Sequence, residues 1–183
     1  FDPVSKKYFI VMDYIPGINL RKYLIQKKHQ SIKISQVIDL LLPVAQALDY
    51  AHKKKIVHCD LEPENILLDK DTNTYLTDFG LAHEIHMSIA LSGSKSYCAS
   101  GTLPYMSPEH YNGRQMQPSV DIWALGVILY EMIEGYHPFR GTSFEHFYKL
   151  ICHTETDLME KASPEIDTVI RQMMSKDKNQ RPT

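Results

Sequence analysis

An excess of charge of either sign is missing from this sequence: across 183 residues, 20 Lys and Arg balance 22 Asp and Glu. Without a basic surplus there is little to attract a phosphate backbone, which argues against a dedicated nucleic-acid binder. Long hydrophobic runs are absent too. The strongest, Ile122-Trp123-Ala124-Leu125-Gly126-Val127-Ile128-Leu129-Tyr130, falls well short of the roughly 20 residues a bilayer requires, so no membrane segment is expected here. Cysteine is scarce and odd in number: Cys59, Cys98 and Cys152 form neither a disulfide framework nor the paired spacing of a zinc site. A reduced, cytoplasmic chain is the expectation. There is also no internal repeat, low-complexity tract or inter-domain linker.

What is present suits one globular core. Apolar residues make up 43% and charged residues 23% of the sequence, ordinary values for such a domain. Tyr8 to Met12 is a compact aromatic and β-branched run that reads as a strand. Pro16-Gly17 breaks it, and a short helix begins near Leu20. Val37, Leu41, Val44, Leu48 and Ala51 recur at helical spacing behind Ser35, a plausible N-cap, with Pro43 expected to kink or divide the helix. Ile66-Leu67-Leu68 and Thr74-Tyr75-Leu76-Thr77 flank the turn-forming stretch from Asp69 to Asn73, which predicts a hairpin. Residues 82–104 are rich in Ser and Thr without periodicity and read as an exposed loop. Val120 to Glu134 is apolar nearly all round, the pattern of a centrally buried helix. Phe144, Phe147, Tyr148 and Ile151 predict one further helix face; Ile166, Val169, Ile170 and Met173 predict another.

The most informative segment is His58-Cys59-Asp60-Leu61-Glu62-Pro63-Glu64-Asn65, followed across the hairpin by Asp78-Phe79-Gly80. One Asp, an Asn and a second Asp at this spacing suit the orienting of a hydroxyl and the holding of Mg²⁺ on phosphates. Turn capping by Asx side chains is the plainer reading of each residue alone, but it leaves their common register unexplained. The pair of segments resembles the catalytic loop and Mg-binding loop of eukaryotic-type protein kinases. Gly101-Thr102-Leu103-Pro104-Tyr105-Met106-Ser107-Pro108-Glu109 resembles the end of the activation segment. Asp121-Ile122-Trp123-Ala124-Leu125-Gly126 resembles the start of the central helix. Arg181 resembles the Arg that pairs with the glutamate matched by Glu109. Small-molecule phosphotransferases share an H-x-D loop but lack these downstream elements.

The resemblance implies an α+β fold: a mainly helical C-lobe with a small β-hairpin at the catalytic loop. Residues 1–14 would be the end of the N-lobe and start of the hinge, and 15–183 the C-lobe without its last helix. It implies ATP and Mg²⁺ as cofactors and a protein Ser/Thr hydroxyl as acceptor. Asp60 matches the base that takes the hydroxyl proton, with Asn65 and Asp78 as metal ligands. Thr102, like the Pro63-Glu64-Asn65 ending, matches the Ser/Thr rather than the Tyr group and completes the catalytic set. Met12 matches the gatekeeper, and Asp13 and Ile15 the backbone groups that meet adenine. Asn19 matches a ribose contact, and Leu67 the floor beneath the base. His58 and Phe79 are expected to pack as structural members.

Two positions depart from the pattern. Cys59 replaces an Arg, which weakens any clamp on a phosphorylated activation loop; it reads as a small buried hydrophobe or as a reactive thiol paired with Cys98. Glu62 replaces the Lys that lies against the transferring phosphoryl group, so it either opposes that charge or turns to solvent. A pseudokinase, a binding or scaffolding module with little transfer activity, is the alternative that Glu62 raises. The sequence opens on Phe1 and ends at Thr183 without a start or stop pattern, which suggests a fragment. The Gly-rich loop, the ATP-positioning Lys and its partner Glu are expected upstream. Without them, apolar surface at Leu20, Leu67 and Phe79 is expected to be open and activity low.

Overall fold

The computed structural model describes residues 11–28, 30–79, 103–112 and 116–183. Three short strands, β1 (Gly17–Asn19), β2 (Ile66–Asp69) and β3 (Thr74–Leu76), form an antiparallel sheet in that order. Asn19 stands opposite Leu67, and Leu67 opposite Tyr75. Ile66 and Leu68 point into the core while Leu67 and Asp69 do not, the period-two alternation of a half-buried strand. The hairpin forms because Asp69 gathers its own turn. Its carboxylate accepts from the amides of Asp71 and Asn73, each at 2.9 Å, and from Asn73 Nδ2 at 2.8 Å.

Gly17 is required by how closely β1 meets β2. A Cβ there would stand 1.9 Å from the Leu68 carbonyl oxygen and 2.9 Å from the Asp69 Cα, both backbone atoms with no room to move. Gly17→Ala should therefore separate β1 from β2 and destabilise the domain by about 1–3 kcal/mol, as overpacking does. Denaturant unfolding checks this; an unchanged midpoint would show that the strand edge adapts.

Among the described residues there are six α-helices, and local sequence sets several of their ends. Helix α1 (Leu20–Gln26) starts at Asn19, whose side chain accepts the Lys22 amide at 2.9 Å. Helix α2 (Ile34–Lys53) starts after Lys33, without a side-chain cap, so Ser35 lies inside it rather than at its end. Pro43 leaves α2 undivided: the apolar stripe of Val37, Leu40, Leu41, Val44 and Leu48 is buried on both sides of it. Tertiary packing outweighs the one hydrogen bond that proline removes.

The short helix α3 (Pro108–Tyr111) precedes α4 (Ser119–Glu134), α5 (Phe144–His153) and α6 (Pro164–Met173). Helix α4 is the centre, packed on α2 and α6, and it ends where Gly135 adopts φ 81°. On α5 Ile151 is fully buried, with Phe147 partly so. On α6 Ile170 and Met173 are buried, but Val169 is 53% exposed. At 100° per residue Val169 falls at the margin of the stripe, so periodicity overstated that face. Two further expectations are corrected. Leu20 is fully buried, leaving only Leu67 and Phe79 half-exposed at the surface named above. Leu103, within the stretch 82–104 expected to be an exposed loop, is buried in a 3₁₀ turn at Leu103–Tyr105. The strand expected from Tyr8 lies outside the described residues up to position 10, and Val11 and Met12 form no strand.

Candidate active site

Helix α4 builds the site from below. Asp121, in its first turn and 1% exposed, accepts the His58 amide through Oδ2 and the Cys59 amide through Oδ1, both at 2.9 Å. His52 Nε2 donates to the same Oδ2 at 2.7 Å. These bonds hold Cys59 at φ 66°, a left-handed conformation that a non-glycine residue keeps only when its surroundings fix it. Asp121 therefore shapes the loop, a role that its place in the segment resembling the start of the central helix does not by itself state.

His58 is fully buried and locks the loop to the strand that follows. Nε2 bonds the Thr77 carbonyl at 2.8 Å, and Nδ1 lies 3.3 Å from the Asp60 amide. These partners assign the proton to Nε2. The ring packs on Phe79 with centroids 4.7 Å apart.

Asp60, Asn65 and Asp78 are brought together as a hydrogen-bonded chain. Asn65 Nδ2 donates to the Asp60 carbonyl at 2.8 Å and reaches Asp60 Oδ2 at 3.3 Å. The Asn65 carbonyl accepts the Thr77 amide at 3.0 Å and the Thr77 hydroxyl at 3.2 Å. That hydroxyl lies 3.3 Å from Asp78 Oδ2. Asp78 itself has φ 62° and is exposed. With Nδ2 turned to Asp60, the Asn65 amide offers its oxygen, and with the Asp78 carboxylate it supplies two hard donors. That set fits Mg²⁺, which keeps several waters and shares its shell with phosphates. Among the described residues no group of three His, Cys, Asp or Glu side chains makes a closed metal site.

Glu62 is 8% exposed, so its carboxylate is not turned out to solvent. It stands in extended conformation just before the 3₁₀ turn Pro63–Asn65, and its carbonyl accepts the Asn65 amide at 3.0 Å. Cys59 is half-buried. Burial, then the carboxylates of Asp121 and Asp60, push its thiol up to about 12, which leaves it protonated and disfavours the reactive-thiol reading. Leu67 sits beside Asn19 in the sheet. Asn19 caps α1 as well, a structural role that its match to a ribose contact does not imply. Met12, Asp13 and Ile15 lie in the irregular stretch leading into β1, and among the described residues no hydrogen bond joins them to the Asp60–Asp78 chain. Thr102, Gly80 and Cys98 lie outside the described residues.

The far side of α4 carries the remaining expected pair. Arg181 Nη1 and Nη2 meet Glu109 Oε1 and Oε2 at 2.6 and 2.9 Å. Arg181 also donates to the Ser175 and Ser119 carbonyls at 2.9 and 2.8 Å and lies 5.0 Å from the Trp123 ring. This fork anchors the segment after Tyr105 to the base of the domain.

The match to the protein kinase domain family model extends over residues 3–183. The chain belongs to the protein kinase family. It is 33% identical over 97% of its length to cAMP-dependent protein kinase type 3 of Saccharomyces cerevisiae, of which that covers 42%. It is 33% identical to an Aurora kinase of Candida glabrata, again over 97% of the chain and 48% of the relative. Ribosomal protein S6 kinase alpha-3 of Homo sapiens is 34% identical over 93% of the chain and 22% of its own length. The chain thus spans less than half the length of these relatives. The helical architecture with its small antiparallel sheet is that of a protein kinase fold, and among the described residues no helix is long and apolar enough to cross a membrane.

Proposed function

We propose that this chain is the larger lobe of a cytoplasmic serine/threonine protein kinase, transferring the terminal phosphoryl group of ATP to a protein Ser or Thr hydroxyl. Residues 1–14 form the end of the smaller lobe and the hinge, and residues 15–183 the C-lobe. The observation that carries the reading is the hydrogen-bonded chain from Asp60 through Asn65 and Thr77 to Asp78. It holds a base and two oxygen ligands in one arrangement. Asp60 orients the acceptor hydroxyl and takes its proton as the new O–P bond forms. Asn65 Oδ1 and the Asp78 carboxylate hold the cation. Mg²⁺, when bound, neutralises charge on the phosphate oxygens and orients the group in transit. Met12, Asp13, Ile15, Asn19 and Leu67 surround the nucleoside, and Thr102 completes the Ser/Thr-type catalytic set. The relatives' names, which include protein kinases from yeast and human, support the activity class.

Titration of the full-length protein with ATP tests this. Binding should depend on Mg²⁺, and Asp78→Asn should weaken it more than Asp60→Asn does. Asp60→Asn should lower kcat by about 10²–10⁴-fold, the usual contribution of a positioned general base. Nucleotide binding indifferent to Mg²⁺ would remove Asn65 and Asp78 as ligands.

One observation favours a second reading. Glu62 places a buried carboxylate two residues after Asp60, where a cation serves transfer. A pseudokinase that binds nucleotide or scaffolds partners would tolerate it. Robust Mg-ATP binding without any phosphotransfer would decide for that module.

A further inference from the structure

We propose that Arg21 is a positioning residue for the phosphoryl-transfer loop, holding Glu64, and through it Asn65, against α4 and the end of the activation segment. The inference rests on the roles given above to Asp60 and Asn65. Arg21 stands in the first turn of α1, remote in sequence from the loop, yet every nitrogen of its guanidinium group has a partner. Nε donates to Glu64 Oε1 at 3.0 Å, and Nη1 to Glu131 Oε1 at 2.8 Å. Nη2 donates to the Tyr105 hydroxyl. That hydroxyl in turn donates to Glu131 Oε2 at 2.5 Å. One planar cation therefore joins four elements: α1, the Pro63–Asn65 turn, the Leu103–Tyr105 turn and α4.

The partners are not surface decoration. Side-chain exposure is 22% for Arg21, 6% for Glu131 and 35% for Glu64. Burial opposes the charge on Arg21, but Tyr105 and the two carboxylates outweigh it and keep the group protonated. Among the described residues Arg21 is the one hydrogen-bond donor to the Glu64 carboxylate, whose Oε2 is buried. Removing the guanidinium would leave two carboxylates meeting across the gap it fills. Glu64 must then move, and Glu64 adjoins Asn65 in a single tight turn.

The loop is held at both ends by different means. Asp121 fixes His58 and Cys59, and Arg21 fixes Glu64. Asp60 lies between these anchors and Asn65 directly follows the second, and the two are bonded to each other. A lysine is a poor substitute for Arg21, because a point charge cannot serve three acceptors arranged around a planar fork.

The test is amide hydrogen exchange and kinetics on the full-length protein with Arg21→Gln, with Arg21→Lys as the variant that keeps the charge. In Arg21→Gln, exchange at the Asn65 amide should accelerate by about tenfold or more while the α4 amides of Val127 and Ile128 stay within about twofold. The Mg²⁺ concentration that half-saturates nucleotide binding should rise by about tenfold, and kcat should fall by a similar factor with the KM for ATP nearly unchanged. Arg21→Lys should fall between Arg21→Gln and wild type on each measure, and it carries the comparison if Arg21→Gln does not fold. Adding Glu64→Gln to Arg21→Gln should cause little further loss, because the link is already broken. Unchanged Asn65 exchange in Arg21→Gln overturns the proposal. So does equal acceleration at Asn65 and in α4, which makes Arg21 a general staple only. Wild-type protein that binds no Mg-nucleotide would instead overturn the kinase reading, while the exchange comparison still judges whether Arg21 holds the loop.

Discussion

Replacing Glu62 with Lys in the full-length protein should raise kcat by about ten- to a thousandfold. A carboxylate about 4 Å from a phosphate oxygen opposes it by on the order of 4 kcal/mol at an effective dielectric near 20, and each 1.4 kcal/mol is about tenfold in rate. The structure removes one escape. Glu62 is only 8% exposed and its backbone is tied into the turn that carries Asn65, so the carboxylate is not relieved by swinging into water. Glu62→Gln should remove the repulsion without adding a cation and fall between wild type and Glu62→Lys. Nucleotide affinity should change less than kcat, because the interaction is strongest where charge develops in transfer. Steady-state kinetics on the three proteins decide it. A vigorous wild-type enzyme that loses activity in Glu62→Lys would show that the carboxylate makes a productive contact.

Glu109→Gln should destabilise the domain by about 3–5 kcal/mol, since it leaves a buried guanidinium without its counter-charge. The Arg181 and Glu109 side chains are 0% and 4% exposed, and the fork is bidentate. For a domain of this size the midpoint of thermal unfolding should drop on the order of 10 °C. Replacing both partners by apolar residues of similar volume should be milder than either single change. A pH dependence follows. Burial resists ionisation of Glu109, but the hydrogen bonds and charge of Arg181 prevail and hold its carboxyl below the ordinary range. A carboxyl depressed in the folded state contributes stability that is fully present above its unfolded pKa of about 4.3 and is lost as pH falls through the lower folded value. Wild-type stability should therefore decline in that acid window more steeply than that of Glu109→Gln. Parallel acid profiles would show that the pair is not what acid breaks.

The sequence by itself determined the elements whose causes are local. The hairpin is written in Asp69 and Asn73, whose side chains close their own turn. The buried helix α4 is written in its apolar surface, and the register of His58, Asp60, Asn65 and Asp78 in their spacing. Even here boundaries slipped where packing ruled. Helix α2 starts before Ser35 and runs through Pro43 because its buried stripe outweighs a cap and one lost hydrogen bond. Val169 faces water because the stripe on α6 is narrower than its apolar residues suggest. Only the tertiary structure decided which distant groups meet. Asp121 cradles a loop some 60 residues earlier in the chain, with sequence separations of 63 and 62; Arg21 reaches Glu64 and Glu131, 43 and 110 residues away. Such pairs leave no periodic trace, because a charge is held in a core by whichever partner the packing of helices delivers to it. For the same reason the burial of Glu62 was not legible. Residue type states what a side chain prefers, and the neighbours that fold around it decide whether it reaches water.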